Sequence, residues 1–375
     1  MTTKTGKILA FGLAFALAGA ANAFSQLDIT GRPPVFGGDA TLSDALNTAL
    51  NDQFTNAINE IMGEIGNLNP VPQDFIRSWG NASVFGSHGA SQRGFGGYNR
   101  FAVSFGAMVG LQLPAGIGDL ADDLDNITNT LNTDGDIALG VSPHLFVAQV
   151  GINTSRFLRE NLYLGLRVGF FNGDAIIPID GFSFNSFTIG ALANYQIIPR
   201  VNLAGRFVQW GGVNLGSGLI FSRTAISYGL ALERVNQDLG AVGGIANPIL
   251  HIDPTLYLDM RINTVTIPIE VMTSAQILFL NFALGLGADL AFGRSDINIG
   301  MDGDISVSGL GAANVHQVQN GYLSLNAGGA FSPRFINLKM MTGIGFVLGP
   351  VFIDIPLTMY VNHGFNVGLT LGFRL

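Results

Sequence analysis

Apolar and polar residues alternate without a break over the last thirteen residues of the chain, HGFNVGLTLGFRL. Six apolar side chains occupy every second position: Phe365, Val367, Leu369, Leu371, Phe373 and Leu375. The residues between them are small or polar. Successive side chains of a β-strand point to opposite faces, so the pattern predicts a strand with one wholly apolar face.

The same period of two recurs along most of the chain. The uncharged run 271–288 is the strongest candidate for a transmembrane helix, but from Leu278 to Phe292 its apolar residues fall on alternate positions. A helix would place Asp289 in hydrocarbon at a cost of ~2.5–3.5 kcal/mol, whereas a strand turns this residue inward. Strands are predicted near 101–113, 144–153, 161–171, 184–198, 201–210, 213–222, 225–234, 255–270, 276–293, 320–331, 335–348, 351–361 and 364–375.

Strands of about ten residues with one apolar and one small or polar face are typical of outer-membrane β-barrels. In lipid, strands satisfy all their backbone groups only in a closed barrel. We therefore predict an all-β transmembrane fold, an antiparallel barrel over residues 99–375. Thirteen segments conflict with an even strand number, so twelve or fourteen strands are expected and fourteen is favoured. Loops are predicted at 114–137, 236–254 and 294–319.

The N-terminus has the features of a secretory signal peptide over residues 1–23. Lys4 and Lys7 precede an apolar run, and Ala21 and Ala23 form a small-x-small cleavage site. The alternative, a membrane anchor, is disfavoured because the run is shorter than the ~20 residues of a spanning helix. Export and a barrel together predict the outer membrane of a Gram-negative-type (diderm) bacterium.

One segment, from Thr41 to about residue 66, has the period of an amphipathic helix. Its apolar stripe consists of Leu42, Leu46, Leu50, Phe54, Ile58, Ile61, Met62 and Ile65. The stripe must be buried, and the barrel lumen is the largest surface that can bury it. Residues 24–98 are therefore predicted to be a helical plug and its lead-in; the alternative is a periplasmic helix beneath the barrel.

Composition supports a membrane protein and excludes some classes. Only 12% of the residues are charged and 51 of 375 are glycine, against about 25% and ~7% in ordinary proteins. The absence of cysteine excludes disulfides and thiolate metal sites. A net charge of −8 disfavours nucleic-acid binding.

Candidate chemistry is confined to ionisable residues that alternation turns toward the lumen. These are Arg167, Arg206, Asp259, Arg261, Asp289, Lys339, Asp354 and Arg374. Their mixed signs favour ion pairs among them. No nucleophile elbow, phosphate loop or HExxH motif occurs, so we predict no enzyme, no cofactor and no metal site. The acidic residues of the predicted loops are interpreted as solvated rather than calcium-binding.

The layout resembles the outer-membrane long-chain fatty acid transporter family, with a Gly/Ser/Ala-rich lead-in around Trp79-Gly80-Asn81-Ala82-Ser83. That family has Asn-Pro-Ala before its first strand where this chain has Asn81-Ala82-Ser83, so no substrate contacts are carried over. The resemblance implies a fourteen-stranded barrel, an N-terminal hatch and passive diffusion of hydrophobic compounds. The terminal strand also resembles the signal that the barrel assembly machinery recognises.

Three functions follow from these observations. The leading hypothesis is a plugged channel for hydrophobic small molecules such as long-chain fatty acids, because much of the inward face is uncharged. The second is a surface-exposed structural or adhesive protein, and the third is a general porin for hydrophilic solutes. Outer-membrane lipids and the barrel assembly machinery are the expected partners in all three.

Overall fold

A computed structural model describes residues 26–65, 73–88, 98–113, 140–173, 180–204, 207–242, 245, 247–310 and 314–375. The predicted signal peptide, the whole of the loop at 114–137 and Arg206 lie outside these residues. The helices described are α1 (Ala40–Ile65) and α2 (Gln73–His88). The strands are β1 (Gln26–Arg32), β2 (Val35–Gly38), β3 (Phe101–Gln112), β4 (Gly140–Asn153), β5 (Leu162–Asn172), β6 (Phe182–Ile198), β7 (Val201–Ala204), β8 (Val208–Ala231), β9 (Val235–Asp238), β10 (Ile249–Ile277), β11 (Leu280–Ser308), β12 (Val315–Gln319), β13 (Gly321–Phe331), β14 (Ile336–Leu348), β15 (Val351–Tyr360) and β16 (Gly364–Arg374).

Most of the described chain is one antiparallel sheet of fourteen strands. Ten of them pair in a circuit in the order β3, β4, β5, β6, β8, β10, β11, β14, β15, β16, and β16 pairs again with β3. At the junction the amide of Arg100 donates to the carbonyl of Leu375 at 2.7 Å. The whole sheet has fourteen strands, but β1, β7, β9 and β13 pair on the flanks, so the circuit has ten strands and not the twelve or fourteen predicted for the barrel.

Side-chain burial follows the predicted alternation around the circuit. On β16, for example, Leu369 and Leu371 are each 54% exposed, whereas Asn366 and Thr370 are buried. The other apolar residues of the last strand also lie on the exposed face, with Phe365 half-buried and Val367, Phe373 and Leu375 exposed. The circuit therefore has an apolar outer surface and a polar inner one.

The predicted loop at 294–319 is wrong over most of its length, because β11 continues to Ser308. The loop at 236–254 is likewise shortened, since β10 begins at Ile249. The two strands predicted at 213–222 and 225–234 are one strand, β8. Beyond Phe292 the apolar residues of β11 change from even to odd positions, where Ile297, Met301 and Ile305 are buried. The charged residues between them, such as Asp302 and Asp304, led to the prediction of a loop.

The long strands form a separate extension beyond the circuit. Here β10 and β11 continue past the ends of their neighbours, and β9, β13 and β1 pair alongside them. The extension has its own apolar core, which consists of Phe36, Leu46, Leu50, Ile245, Leu250, Met301, Ile305, Val315, Leu323, Leu325 and Ala327. It lies at the end of the circuit that carries the long connections.

Helix α1 packs on this extension, and its predicted position in the lumen is not confirmed. Leu46 and Leu50 are buried in the extension core, with Leu42 and Phe54 packed against it. The side chains of the last predicted residues, Ile58, Ile61, Met62 and Ile65, lie outside the described ones. The amphipathic stripe predicted burial; it did not specify the surface that buries it.

The start of α1 is fixed by a local hydrogen-bond pattern. The Asp39 carboxylate accepts from the amides of Thr41 and Leu42 at 3.1 and 3.2 Å, as an N-cap residue does. Asn47 then ties β2 to the helix through both backbone groups of Phe36. Among the described residues, neither helix is both long and apolar enough to cross a membrane.

Candidate functional site: the interior of the strand circuit

Helix α2 lies inside the circuit. It contacts β3, β4 and β16 on one side and β8, β10 and β11 on the other, so it is surrounded by strands. Residues 80–87 are all buried, although only some of them are apolar. Small and polar residues such as Gly80, Ser83 and Ser87 let the helix approach the wall closely. The segment interpreted as a lead-in is therefore the element that fills the interior.

Glycines on both surfaces permit this approach. A methyl group on Gly86 of α2 would lie 2.6 Å from the Ser142 carbonyl oxygen, and one on Gly110 of β3 would lie 2.7 Å from the Gly86 Cα. Gly140 of β4 meets the amide nitrogen of Trp79 in the same way, at 2.7 Å. Real Cβ atoms do not approach other atoms so closely, so helix and wall are in backbone contact.

Three hydrogen bonds join α2 to the wall. Asn81 accepts from the amide of Arg334 at 2.8 Å and donates to the side chain of Gln112 at 3.3 Å. The side chain of Asn366 on β16 donates to the carbonyl of Phe85 at 2.5 Å. Asn81 and Asn366 are buried, so each bond satisfies groups that cannot reach water.

A buried charge cluster lies beside the helix. The Lys339 ammonium donates to Glu270 at 2.5 Å and to Asp289 at 2.6 Å, and the Tyr360 hydroxyl donates to the other Asp289 oxygen at 2.9 Å. The side chains of the three charged residues are 0–1% exposed. Phe85 of α2 stacks on Tyr360 with ring centroids 3.9 Å apart, so the cluster contacts the helix directly.

The register explains how these side chains reach one another. One cross-strand row runs Gly216, Glu270, Gly287, Lys339, Tyr360, Gly364, Gln112 and Gly140. The Lys339 side chain crosses Gly287, where an added Cβ would be 3.2 Å from both Lys339 and Glu270. Phe85 covers Gly364 similarly. Glycines in this row leave space for long side chains and for α2.

A second buried network occupies the opposite side of the interior. His144 of β4 is hydrogen-bonded to Ser142 at 3.3 Å and to Thr188 at 3.1 Å, and Thr188 donates to Ser222 at 3.3 Å. Arg167 lies in the same region, with a terminal nitrogen 3.7 Å from the Met108 sulfur. The His144 imidazole, these hydroxyls and the buried Arg167 form a polar core on this side of the interior.

Two small spaces are lined by described residues of the interior and the extension. A cavity of about 10 Å³, close to what one water molecule needs, is lined by Ser104, Gly106, Met108, Val147, Gln149, Arg167 and Thr370. A second cleft, of about 40 Å³ and mostly apolar, lies in the extension between α1 and the sheet. Neither of these spaces admits a molecule of the size of a fatty acid.

The predicted lumen residues fall into three groups. Arg167, Asp289, Lys339 and Asp354 are buried on the inner face, and Arg374 is half-buried in the inward row of β16. Arg206 lies outside the described residues. The structure brings Asp289 and Lys339 together; the others lie apart from that cluster.

The assignments of Asp259 and Arg261 to the lumen are wrong. The buried row of β10 consists of even-numbered residues, from Met260 to Met272, so both side chains lie on the outer face. Ile269 and Val271, which are exposed, share that outer face and fix the phase. The same phase makes Glu270 an inward residue. The alternation of β10 could therefore have identified Glu270 as a member of the charge cluster.

Helix α2 was missed for a different reason. Its sequence, QDFIRSWGNASVFGSH, contains three small polar serines and two glycines, which have low helix propensity. Such residues predict a loop when the segment is considered alone. Only the narrow space between the strand walls explains their use in a helix.

Comparison with known proteins identifies the family. Residues 31–375 match the family model described as Lsa36-like. The chain belongs to this family. No curated protein matches it. Among the described residues no group of three or more His, Cys, Asp or Glu side chains is placed to hold a metal ion.

Several solved structures are similar to this Lsa36-like protein. They include the translocator domain of autotransporter NalP from Neisseria meningitidis, with 8% identity and a TM-score of 0.27 over 90% of this chain and 100% of that one. The toluene transporter TodX from Pseudomonas putida has 8% identity and a TM-score of 0.25, covering 78% and 99%. A FadL homologue from Pseudomonas aeruginosa has 8% identity and a TM-score of 0.23 over 80% of this chain and 98% of that one. The resemblance to fatty acid transporters recurs here, but such TM-scores carry no functional argument.

Proposed function

We propose that this Lsa36-like protein is an outer-membrane β-barrel. Its own helix α2 occupies the lumen, and the extension is displayed at the cell surface. The ten-strand circuit is the barrel, α2 is the plug, and the extension with α1 is the displayed part. The observation that carries this proposal is the close packing of α2 against the wall. A filled lumen is suited to display better than to conduction.

The outer belt of the circuit supports membrane insertion. On β11 the outward residues from Phe282 to Phe292 are apolar, and they are ten residue steps apart. At ~3.3 Å per residue and a tilt of about 40°, these steps span roughly 25 Å across the membrane. This height matches the apolar band of known outer-membrane barrels.

The connections support one orientation. The short turns at 278–279 and 349–350 and the chain end at Leu375 share one end of the circuit. The long connections and the extension share the other end. Outer-membrane barrels have short turns on the periplasmic side and long loops outside, so the extension faces the cell exterior.

The path of the N-terminal segment follows from its contacts. Ile76, near the start of α2, packs on Ile297 beside the extension, whereas Tyr98 packs on Tyr163 at the short-turn end. Helix α2 thus begins near the extension, and the described chain resumes at Tyr98 at the periplasmic end of the barrel. In this arrangement α1 is anchored at the surface by a segment that crosses the barrel.

Labelling of intact cells tests the orientation. Because the chain has no natural cysteine, a maleimide reacts only with the introduced one. Thr48 is exposed on α1, and Ser155 is exposed in a short turn at the other end. A Thr48→Cys variant is expected to react with a membrane-impermeant maleimide on intact cells. A Ser155→Cys variant is expected to react only after permeabilisation. The reverse result would overturn the proposed topology.

Transport measurements separate display from the two channel hypotheses. Whole protein in planar bilayers is expected to show no steady conductance, and proteoliposomes are expected to take up neither sugars nor long-chain fatty acids faster than protein-free vesicles. Porin-like conductance would contradict a filled lumen. Accelerated uptake of fatty acid would instead support the hydrophobic channel, with α2 as a movable hatch.

A further inference from the structure

Three exposed arginines lie on the outer surface just beyond the apolar belt, on the side of the extension. They are Arg223 of β8, Arg261 of β10 and Arg294 of β11, which are neighbouring strands. Arg223 and Arg294 pair with the two edges of Asn263, and Arg261 is two residues further along β10. All three project from the same face of the sheet.

The rows around them mark a sharp change in chemistry. The row below consists of Val168, Ile189, Phe221, Val265 and Phe292, all apolar. The row of Arg223 and Arg294 begins with Phe170 and Phe187, and the row above contains Asn172, Asn185 and Arg261. In the proposed orientation, this change marks the boundary between acyl chains and lipid headgroups in the outer leaflet.

The charges of this patch are incompletely balanced. Asp296 accepts from the Nε atom of Arg294 at 2.5 Å, but this arginine keeps further donors and its side chain is 68% exposed. Among the described residues Arg223 and Arg261 form no ion pair. Asp296 lies opposite Arg261 in the ladder, and half-buried Asp259 is two residues beyond Arg261 on β10. Three arginines and two aspartates give the patch a net positive charge.

We infer that Arg223, Arg261 and Arg294 bind the phosphate of an outer-leaflet lipid headgroup, with the acyl chains of that lipid on Phe221 and Phe292. This inference rests on the proposed membrane orientation. Arginine suits the role because its planar fork donates two hydrogen bonds to a phosphate. The adjoining hydrocarbon excludes water and strengthens the attraction.

The spacing fits one phosphate group. Arg223 and Arg294 are two strands apart, which is about 10 Å between backbones at ~4.8 Å per strand. Arg261 lies between them and about 7 Å further along, at two residues of ~3.3 Å. Side chains as long as arginine converge from three such points on a single group above Asn263, whose amide side chain adds a donor.

Native mass spectrometry of the full chain tests the assignment. Protein in mixed detergent micelles is given phosphatidic acid or phosphatidylcholine, and retained lipid is counted. The parent is expected to retain phosphatidic acid about tenfold better than phosphatidylcholine, a difference of ~1.4 kcal/mol. The triple variant Arg223→Gln, Arg261→Gln, Arg294→Gln is expected to lose this preference. Equal preference in parent and triple variant would overturn the inference.

Two controls complete the experiment. Arg234 is an exposed arginine on the extension, away from the belt and paired with Asp253, so Arg234→Gln is expected to keep the full lipid preference. Millimolar inorganic phosphate is expected to leave bound phosphatidic acid in place; displacement by phosphate alone would mean a free-anion site and would contradict a lipid site.

Insertion into pure phosphatidylcholine vesicles separates this inference from the function on which it rests. Protein that inserts there but shows no preference for phosphatidic acid would refute the arginine site and leave the proposed barrel intact. Protein that remains water-soluble and does not insert would refute both.

Discussion

Removal of the Lys339 ammonium is the sharpest test of the interior described here. In a Lys339→Met variant the methylene packing is largely kept, but Glu270 and Asp289 lose their shared cation. The lysine nitrogen lies 2.5 and 2.6 Å from the two carboxylates, and all three side chains are buried. Two like charges would then share a site that water does not reach.

The magnitude follows from the distances and the burial. At an effective dielectric constant of ~20, each ion pair at this separation contributes about 6 kcal/mol of Coulomb energy. The desolvation of three charges offsets most of that gain, so the net value of the cluster is small. Breaking a buried pair by removing one partner nevertheless costs ~3–5 kcal/mol, because the remaining buried carboxylates lose their direct bonds to the ammonium. We expect the free energy of unfolding to fall by that amount.

Urea unfolding in detergent micelles measures this loss, with fluorescence of Trp79 as the probe in a Trp210→Phe background. Trp79 is on α2, so the signal reports the helix beside the cluster. The matched control is the uncharged variant Glu270→Gln, Asp289→Asn, Lys339→Met, which is expected to be within ~1–2 kcal/mol of the parent. A loss below ~1 kcal/mol for Lys339→Met alone would refute the reasoning.

Three further predictions concern other contacts. Gly110→Val places a side chain against the backbone of α2, so the folded, heat-modifiable band on gels is expected to be lost. The control Gly229→Ala is expected to be neutral, because an added Cβ there has no atom within 4 Å. A folded Gly110→Val protein would contradict the packing. Asn366→Ala removes a buried hydrogen bond to α2 and is expected to lower the free energy of unfolding by ~1–2 kcal/mol in urea titrations, with an unchanged midpoint as the contrary result. Hydrogen bonds from Arg234 lower the pKa of Asp253 below 3.8, so their stabilisation is present above that pH and is lost as the pH falls through the folded-state pKa. The protection factors of the β9 amides, which are corrected for intrinsic exchange, are therefore expected to fall below about pH 4 in the parent. An equal fall in Asp253→Asn would contradict this.

The sequence predicted the sheet because alternation is a local property. The apolar positions of β16 and of the lower half of β11 can be read directly, since each outward residue faces the same apolar surroundings. The extension was not predicted because its strands are covered by α1 on one face and water on the other. There the apolar residues change to odd positions, such as Met301 and Ile305, and alternate with exposed charged residues such as Asp302 and Asp304, so the segment was predicted to be an acidic loop.

The interior was harder to predict because its side chains are chosen by partners distant in sequence. Lys339 requires Glu270, which is 69 residues away, and Gly364 requires Phe85 across the interior. Alternation identified Lys339 and Asp289 as inward residues but gave no pairing. On β10 even the phase was misread, because Asp259 and Arg261 are polar and lie on the outer face beyond the belt.

Helices α1 and α2 together show why hydrophobicity alone did not identify the helix that packs against the strand walls. A helix in a wide, apolar lumen needs an apolar stripe, and α1 has one. This lumen is narrow and polar, so the helix that fits it must be thin and able to donate and accept hydrogen bonds. Gly86 and Asn81 meet these two needs, through backbone contact with β4 and bonds to Gln112 and Arg334. The stripe of α1 is buried instead in the extension, where Leu46 and Leu50 belong to the apolar core.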